Sequence, residues 1–511
     1  MPATDAYADL LRHARQLGTL RSIGSLVQWD HETYMPEAAA DHRAEQEALL
    51  ASLAHERATS KQFGDLIAAC EQDNALTADP QTAANLREFR RDYDLATKLP
   101  ADLVEEWART SALASEVWKK ARAAADFKAF EPYLTKMIAL ARRKAECYGW
   151  PTGGEPYDAL LNEYEPGATA KQIESIFNPL RERLAALIKD IADNGTPPDE
   201  SPINVRVPDD AQHKLGLAVL KALCFDLSAG RLDVTTHPFC SGMAPGDTRL
   251  TTRYRDERFT DALYGTMHEC GHGLYEQGLP KLARGDQPAR FGEPLGDAIS
   301  LGIHESQSRL WENFVGRSPE FWQWLHPIAN QTFNGALAAF TPDAMFRAVN
   351  TAKPSFIRVE ADEATYNLHI MLRFSIERAL LRGDLEARDV PGAWNDAFES
   401  MLGQKVPDDR RGCLQDIHWS AGLIGYFPTY CLGNLYAAQF WETVSQQIPD
   451  LKAQIARGQF APLREWLRTN IHQHGRRYLA ADLCQRITGK PLSADPLMRY
   501  LEGKLKPVYG L

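Results

Sequence analysis

Apolar residues recur at intervals of three and four along most of the 511-residue chain, the period of helices that bury one face. Between Asp102 and Ala125 the stripe runs through Leu103, Trp107, Leu113 and Trp118. From Phe127 to Tyr148 it runs through Tyr133, Met137, Leu140 and Ala141. The first 150 residues therefore read as long helices rich in Ala, Leu, Arg and Glu, all good helix formers. Lys98-Leu99-Pro100, the Gly149–Gly154 stretch and Gly195-Thr196-Pro197-Pro198 punctuate them. Between about Ser228 and Tyr254 the period changes. Asp247 to Tyr254 is Thr-rich and alternating after the Pro245-Gly246 turn, which predicts a short strand. Helical period then returns and persists to the C-terminus. The fold class expected is mainly α, with a small antiparallel β-sheet. No repeat, low-complexity tract or linker divides the chain, so residues 1–511 read as a single domain. Its N-terminal helical part is 1–150 and its chemistry lies within 228–440.

Composition narrows the function. Apolar residues at 44% and charged residues at 24% are ordinary for a globular protein. A net charge of −11 argues against a nucleic-acid partner and against an anionic membrane surface. The N-terminus lacks the basic patch and apolar run of a secretory signal. Ser420–Trp441 carries no Asp, Glu, Lys or Arg, but Gly422, Gly425, Pro428, Gly433, Asn434 and Gln439 make it buried interior rather than a membrane span. The eight cysteines are scattered without a CxxC pair, which suits reduced thiols in the cytoplasm.

The strongest local signal is His268-Glu269-Cys270-Gly271-His272. It sits in a predicted helix with Thr260 or Asp261 as N-cap and Gly278-Leu279-Pro280 as stop. Positions four apart differ by about 40° around a helix, so both imidazoles leave one face and can reach one metal ion. Glu269 is turned about 100° from His268, beside the ion rather than on it, where it can take a proton from a water activated by the metal. Cys270 points to the opposite side. The plainer reading is a pair of core histidines. A zinc site of this kind needs a third protein ligand, and Glu305, 33 residues after His272, is the best candidate. It lies in a second predicted helix, Pro294 to Val315, and an antiparallel pairing would bring it opposite His268 and His272. Gly271 and Gly273 each cost about 1 kcal/mol inside a helix, which implies close approach by another backbone or by substrate. A di-iron bundle requires Glu-x-x-His twice, and only Glu269–His272 supplies it.

Six short motifs in order then give a resemblance. They are His237-Pro238-Phe239, Asp247-Thr248-Arg249-Leu250-Thr251, the HExxH at 268–272, His304-Glu305-Ser306-Gln307, Ile357-Arg358-Val359-Glu360-Ala361-Asp362, and Gly412 to Trp419 through Gln415, Asp416 and His418. They span about 180 residues, and the chain resembles the carboxypeptidase Taq family of metal-dependent carboxypeptidases. The resemblance implies a helical molecule akin to angiotensin-converting enzyme and the thimet-type oligopeptidases, with a deep substrate groove and the sheet beside the active-site helix. It also implies one zinc per chain (cobalt or manganese as alternatives) with Glu305 as third ligand, and a cytoplasmic homodimer that removes single residues from peptides with a free C-terminal carboxylate, with broad specificity.

Peptide hydrolysis also needs a proton shuttle, an oxyanion donor and a substrate anchor. Glu269 is the expected general base. Tyr430, ahead of Tyr426, and His418 are candidate oxyanion donors. Arg358 and Arg249 suit a terminal carboxylate because guanidinium pairs with it bidentately, with Gln415 and His237 as further substrate contacts. Two alternatives remain at this level: an oligopeptidase cutting inside short peptides, and a helical scaffold with an accidental motif.

Overall fold

Residues 3–511 are described by a computed structural model, in which helices end at the Gly and Pro signals of the sequence. Ala3–Thr33 and Ala40–Ala58 form an antiparallel hairpin, tied by Arg43 to Asp30 and by His31 to Glu47. Its base packs with Lys61–Glu71 and Pro80–Thr97 around Leu10, Phe63, Ile67, Leu86 and Phe89, a small core of its own. A much larger core runs from Leu103 to Tyr509.

The helix Ala101–Ala124 corrects one apolar stripe. Leu103, Thr110, Ala114 and Ala121 are buried, whereas Leu113 is 53% exposed. Ten residues separate Leu103 from Leu113, about 80° off the stripe at 100° per residue. In Phe127–Tyr148 the buried residues include Phe130, Leu134, Met137, Leu140 and Ala141, with Tyr133 half-buried at their edge.

The change of period near residue 230 produces three strands, β1 (Gly230–Val234), β2 (Cys240–Ala244) and β3 (Asp247–Thr252), in the order β1-β3-β2. The sheet is mixed rather than antiparallel: the tight turn at Gly246 makes β2 antiparallel to β3, while β1 runs parallel to β3 on its far side. Residues 235–239 wrap the end of β3, with Thr235 N–H donating to Thr252 O. The strand stops at Thr252, whose hydroxyl turns to Thr266 at 3.1 Å.

Phe259–Gly278, the motif helix, starts two or three residues earlier than the capping residues suggested. Arg258 is its N-cap, without a side-chain bond, and Thr260 and Asp261 lie in the first turn. Thr260 is buried against the interior and is not available to cap. The expected helix Pro294–Val315 is also revised. Pro294 opens only a 3₁₀ turn to Gly296. The α-helix, here the acid helix, begins at Leu301, where Ser300 Oγ accepts the Ile303 N–H, and ends at Arg309 before six residues of π-helix to Val315. The uncharged window after Ser420 becomes the helix Pro428–Gln447, buried continuously from Cys431 to Phe440. No helix of the described residues is long and apolar enough to cross a membrane. All eight cysteines are free.

Candidate active site

Two glycines set the position of the acid helix. A Cβ on Gly271 would fall 2.5 Å from the Gln307 carbonyl oxygen and 2.6 Å from Ser308 Cα, so the motif and acid helices meet backbone to backbone. On the opposite side, a Cβ on Gly433 of Pro428–Gln447 would fall 2.5 Å from Glu305 Cγ. Gly273 answers a different need: Leu250 of β3 and Phe225 come within 2.8 Å. The helices run antiparallel, since His268 meets Glu312, His272 meets Glu305 and His304, and Glu276 meets His304.

This arrangement brings His268, His272 and Glu305 together, with one ligand atom from each within 4.8 Å of the others. Glu305 Oε2 lies 3.5 Å from His268 Nε2 and 3.4 Å from His272 Nε2. The two rings are 4.9 Å apart and inclined at 83°. Behind each ligand stands a partner that sequence reasoning missed. His268 Nδ1 faces Glu312 Oε2 at 2.9 Å. His272 Nδ1 faces His304 Nδ1 at 2.5 Å, and His304 Nε2 faces Glu276 Oε1 at 2.9 Å, with Lys281 completing the chain. Were Nε2 of His272 to hold a cation, its Nδ1 would carry the proton, His304 Nδ1 would accept it, and His304 Nε2–H would donate to Glu276. Glu305 Oε1 accepts from Arg309 Nε at 2.7 Å, which leaves Oε2 toward the histidines.

The charges agree with a cation site. Burial works against the Glu305 carboxylate, but Arg309 and His268 outweigh it and hold its pKa well below the ordinary value. Burial likewise works against charged His268, yet Glu305 and Glu312 raise its pKa to about 9. Burial and neighbouring His304 push His272 down to about 4. Two imidazole nitrogens and an anionic oxygen, each oriented from behind, are a donor set that fits a divalent cation. Glu269 is 7% exposed, and burial raises its pKa to about 7, the range a general base needs.

A second cluster gathers most of the other expected residues. Arg358 Nε and Nη2 both donate to Asp416 Oδ1, at 2.9 and 2.8 Å, and Arg373 binds the other oxygen of the same carboxylate. Asp416 is thus shared between two arginines, leaving the trio with a net positive charge. Tyr430 OH lies 3.3 Å from His418 Nε2, and the Tyr426 ring lies 5.3 Å from that of Tyr430. Burial raises the pKa of both phenols, with Glu305 among the contributing charges, so both remain hydrogen-bond donors at neutral pH. Tyr366, another residue not anticipated, joins the two clusters: Arg309 stacks on its ring at 4.6 Å, and its hydroxyl accepts from Arg358 Nη1 at 3.0 Å.

Three further expected residues lie outside these contacts or are engaged elsewhere. Gln415 is no free donor, because Oε1 accepts the Arg358 backbone N–H and Nε2 is spent on the carbonyls of Phe356, Arg411 and Gly412. It staples the Arg358 loop in place instead. Arg249 forks onto Asp247 and stacks on Trp29 at 4.3 Å, on the face of β3 opposite to the one Leu250 turns to the motif helix. His237 is exposed on the link between β1 and β2. Glu276 and Glu312 had a readable signal: His268, His272 and Glu276 recur every four residues, and Glu312 lies two turns after Glu305.

The family model of the carboxypeptidase Taq (M32) metallopeptidases matches residues 9–505. The chain is 44% identical to the thermostable carboxypeptidase 1 of Thermus thermophilus and 37% to carboxypeptidase 1 of Bacillus subtilis, with 98% or more of each chain covered. The crystal structure of an M32 carboxypeptidase from Deinococcus radiodurans superposes with a TM-score of 0.94 at 40% identity, covering 99% of this chain and all of the other. The chain belongs to the carboxypeptidase Taq (M32) family and is a metallocarboxypeptidase, a peptide hydrolase.

Proposed function

We propose that this enzyme removes single residues from the C-termini of peptides with broad specificity, using Glu269 as general base beside a cation held by His268, His272 and Glu305. The reading rests on one observation, the convergence of those three ligand atoms within 4.8 Å next to a buried carboxyl. Two histidines and one carboxylate suit zinc, with cobalt and manganese as alternatives of similar donor preference. When bound, such a cation supplies Lewis acidity, polarising the scissile carbonyl and acidifying the attacking water.

The remaining work belongs to the chain. Glu269 accepts the proton of the attacking water and returns it to the leaving amine. Tyr430 or Tyr426 donates to the developing oxyanion, with His418 orienting Tyr430 across their 3.3 Å contact. Arg358 draws the terminal carboxylate with the surplus positive charge it shares with Arg373 over Asp416. Arg249 and His237 remain candidate substrate contacts of this reading. We read 1–511 as one metallocarboxypeptidase domain acting as a cytoplasmic homodimer, a compartment that eight free cysteines support.

The test is digestion of free and C-terminally amidated peptides followed by mass spectrometry, with chelator and metal add-back. Stepwise loss of single C-terminal residues from free peptides only, abolished by chelator and restored by zinc, is the expected pattern. Internal fragments, or equal cleavage of amidated peptides, would replace this reading with that of an oligopeptidase.

A further inference from the structure

Beyond the C-terminal end of the motif helix lies a cavity of about 290 Å³ that contains none of the three ligand residues. Its walls include Lys281, Arg284, Arg464 and Arg468, with buried His472 alongside. The acids on its wall are already engaged: Glu276 by Lys281 and His304, and Asp226 by the N–H and hydroxyl of Ser228. Arg468 pairs with Glu465 on its own helix. Among the described residues, Arg284 and Arg464 form no ion pair. Arg284 donates to the Gln277 carbonyl at 2.6 Å, and buried Arg464 Nε has no hydrogen-bond partner.

This concentration of cations carries a cost. Arg464 and Arg468 stand four apart on Ala461–Asn470, so like charges face each other one turn apart. Arg284 approaches the same cavity from the loop after the motif helix. Although the residue lies at the surface, its pKa is lowered, first by partial desolvation and then by the charges of Arg468 and Arg464. His472 is lowered to about 3 by burial and then by Arg468 and Arg464. Mutual repulsion of this kind is offset by a ligand of opposite charge. Planar guanidinium forks match phosphate oxygens bidentately, and the volume is at the lower end of small-ligand sites.

We propose that the cavity binds a phosphate group, held between Arg284, Arg464 and Arg468. The group is either inorganic phosphate or the phosphomonoester of a small metabolite. The site is separate from the hydrolytic centre, but Glu276 on its wall is hydrogen-bonded to His304 and through it to His272.

The experiment is calorimetric titration of the metal-loaded enzyme with inorganic phosphate, and separately with glycerol phosphate, against chloride at matched ionic strength. Binding at about 1 mM or tighter is expected, weakened roughly tenfold or more in Arg464→Gln and in Arg284→Gln. Tighter binding of the ester identifies a metabolite as the occupant, and equal or weaker binding identifies the free anion. In phosphate-free buffer of low ionic strength, Arg464→Gln should unfold at the same temperature as the parent or higher, because a repulsion has been removed. No phosphate heat above the chloride control overturns the proposal. So does binding that persists unchanged in both variants, since the anion then sits elsewhere, including on the metal.

Discussion

The ligand cluster and the arginine cluster around Asp416 adjoin each other, joined through Arg309 and Tyr366, but they are built in different ways. The first takes its three ligands from two helices close in the chain, and each ligand leaves an atom directed at its companions. The second draws Arg358, Arg373, Asp416, His418, Tyr426 and Tyr430 from several segments, and its charged groups satisfy one another. One cluster is arranged to receive a cation. The other is a closed network with a surplus positive charge and two phenol donors, which the proposed mechanism assigns to the substrate. The comparison teaches that a motif can locate residues correctly while leaving their immediate partners, and hence their freedom to act, undetermined.

Four experiments separate the clusters, from the largest effect to the smallest. Glu269→Gln removes the base and leaves the ligands, so turnover should fall by about 10²–10⁴ while metal content by atomic emission stays at the parental level; parental turnover would remove Glu269 from the mechanism. Asp416→Asn should strike the other cluster, leaving two buried guanidinium groups without their shared carboxylate. A loss of about 3–5 kcal/mol in urea unfolding is expected, with metal content unaltered; loss of metal in the same variant would show the clusters to be one cooperative unit.

The third uses pH. Burial raises the Glu377 carboxyl to about 7 from an ordinary 4.5, while Tyr157, Trp419 and Gly425 donate to it and hold the segment that carries His418 and Tyr426. An acid whose pKa rises on folding contributes stability that is complete below about pH 4.5 and is lost as pH rises through about 7. The parent should therefore lose up to about 3 kcal/mol relative to Glu377→Gln between pH 4 and pH 8. Unfolding midpoints at the two pH values measure it, and a constant difference between the proteins would refute it. The smallest effect is expected from Glu312→Gln, which leaves all three ligands in place but unfastens His268. Metal affinity should weaken about 10–100-fold in competition with a chelator, with the thermal midpoint of the metal-free protein little changed.

Sequence alone placed His268, His272 and Glu269 because four-residue spacing on one helix is local geometry. Glu305 was reachable because Gly and Pro signals bounded both helices. The acid helix itself began later than Pro294 suggested, since the chain first makes a 3₁₀ turn and Ser300 supplies the cap. Arg358 and Gln415 were located as motif residues, yet nothing in their neighbourhood announced that Arg373 would share Asp416 or that Gln415 would spend its amide on three carbonyls. The Arg373–Asp416 pair and the bond from Gln415 to Phe356 join segments more than 40 residues apart, and only packing decides them. The apolar stripe failed at Leu113 for a simpler reason, an accumulated error in helical phase.

The acid helix is gripped like a shim between Gly271 and Gly433, and its thickness fixes the bite of the ligand set. A methyl group at position 433 would press on Glu305 Cβ and Cγ, and one at position 271 would press the acid helix toward Pro428–Gln447. The spacing of His268, His272 and Glu305 is therefore adjustable from two positions outside that trio, without exchanging any of its side chains.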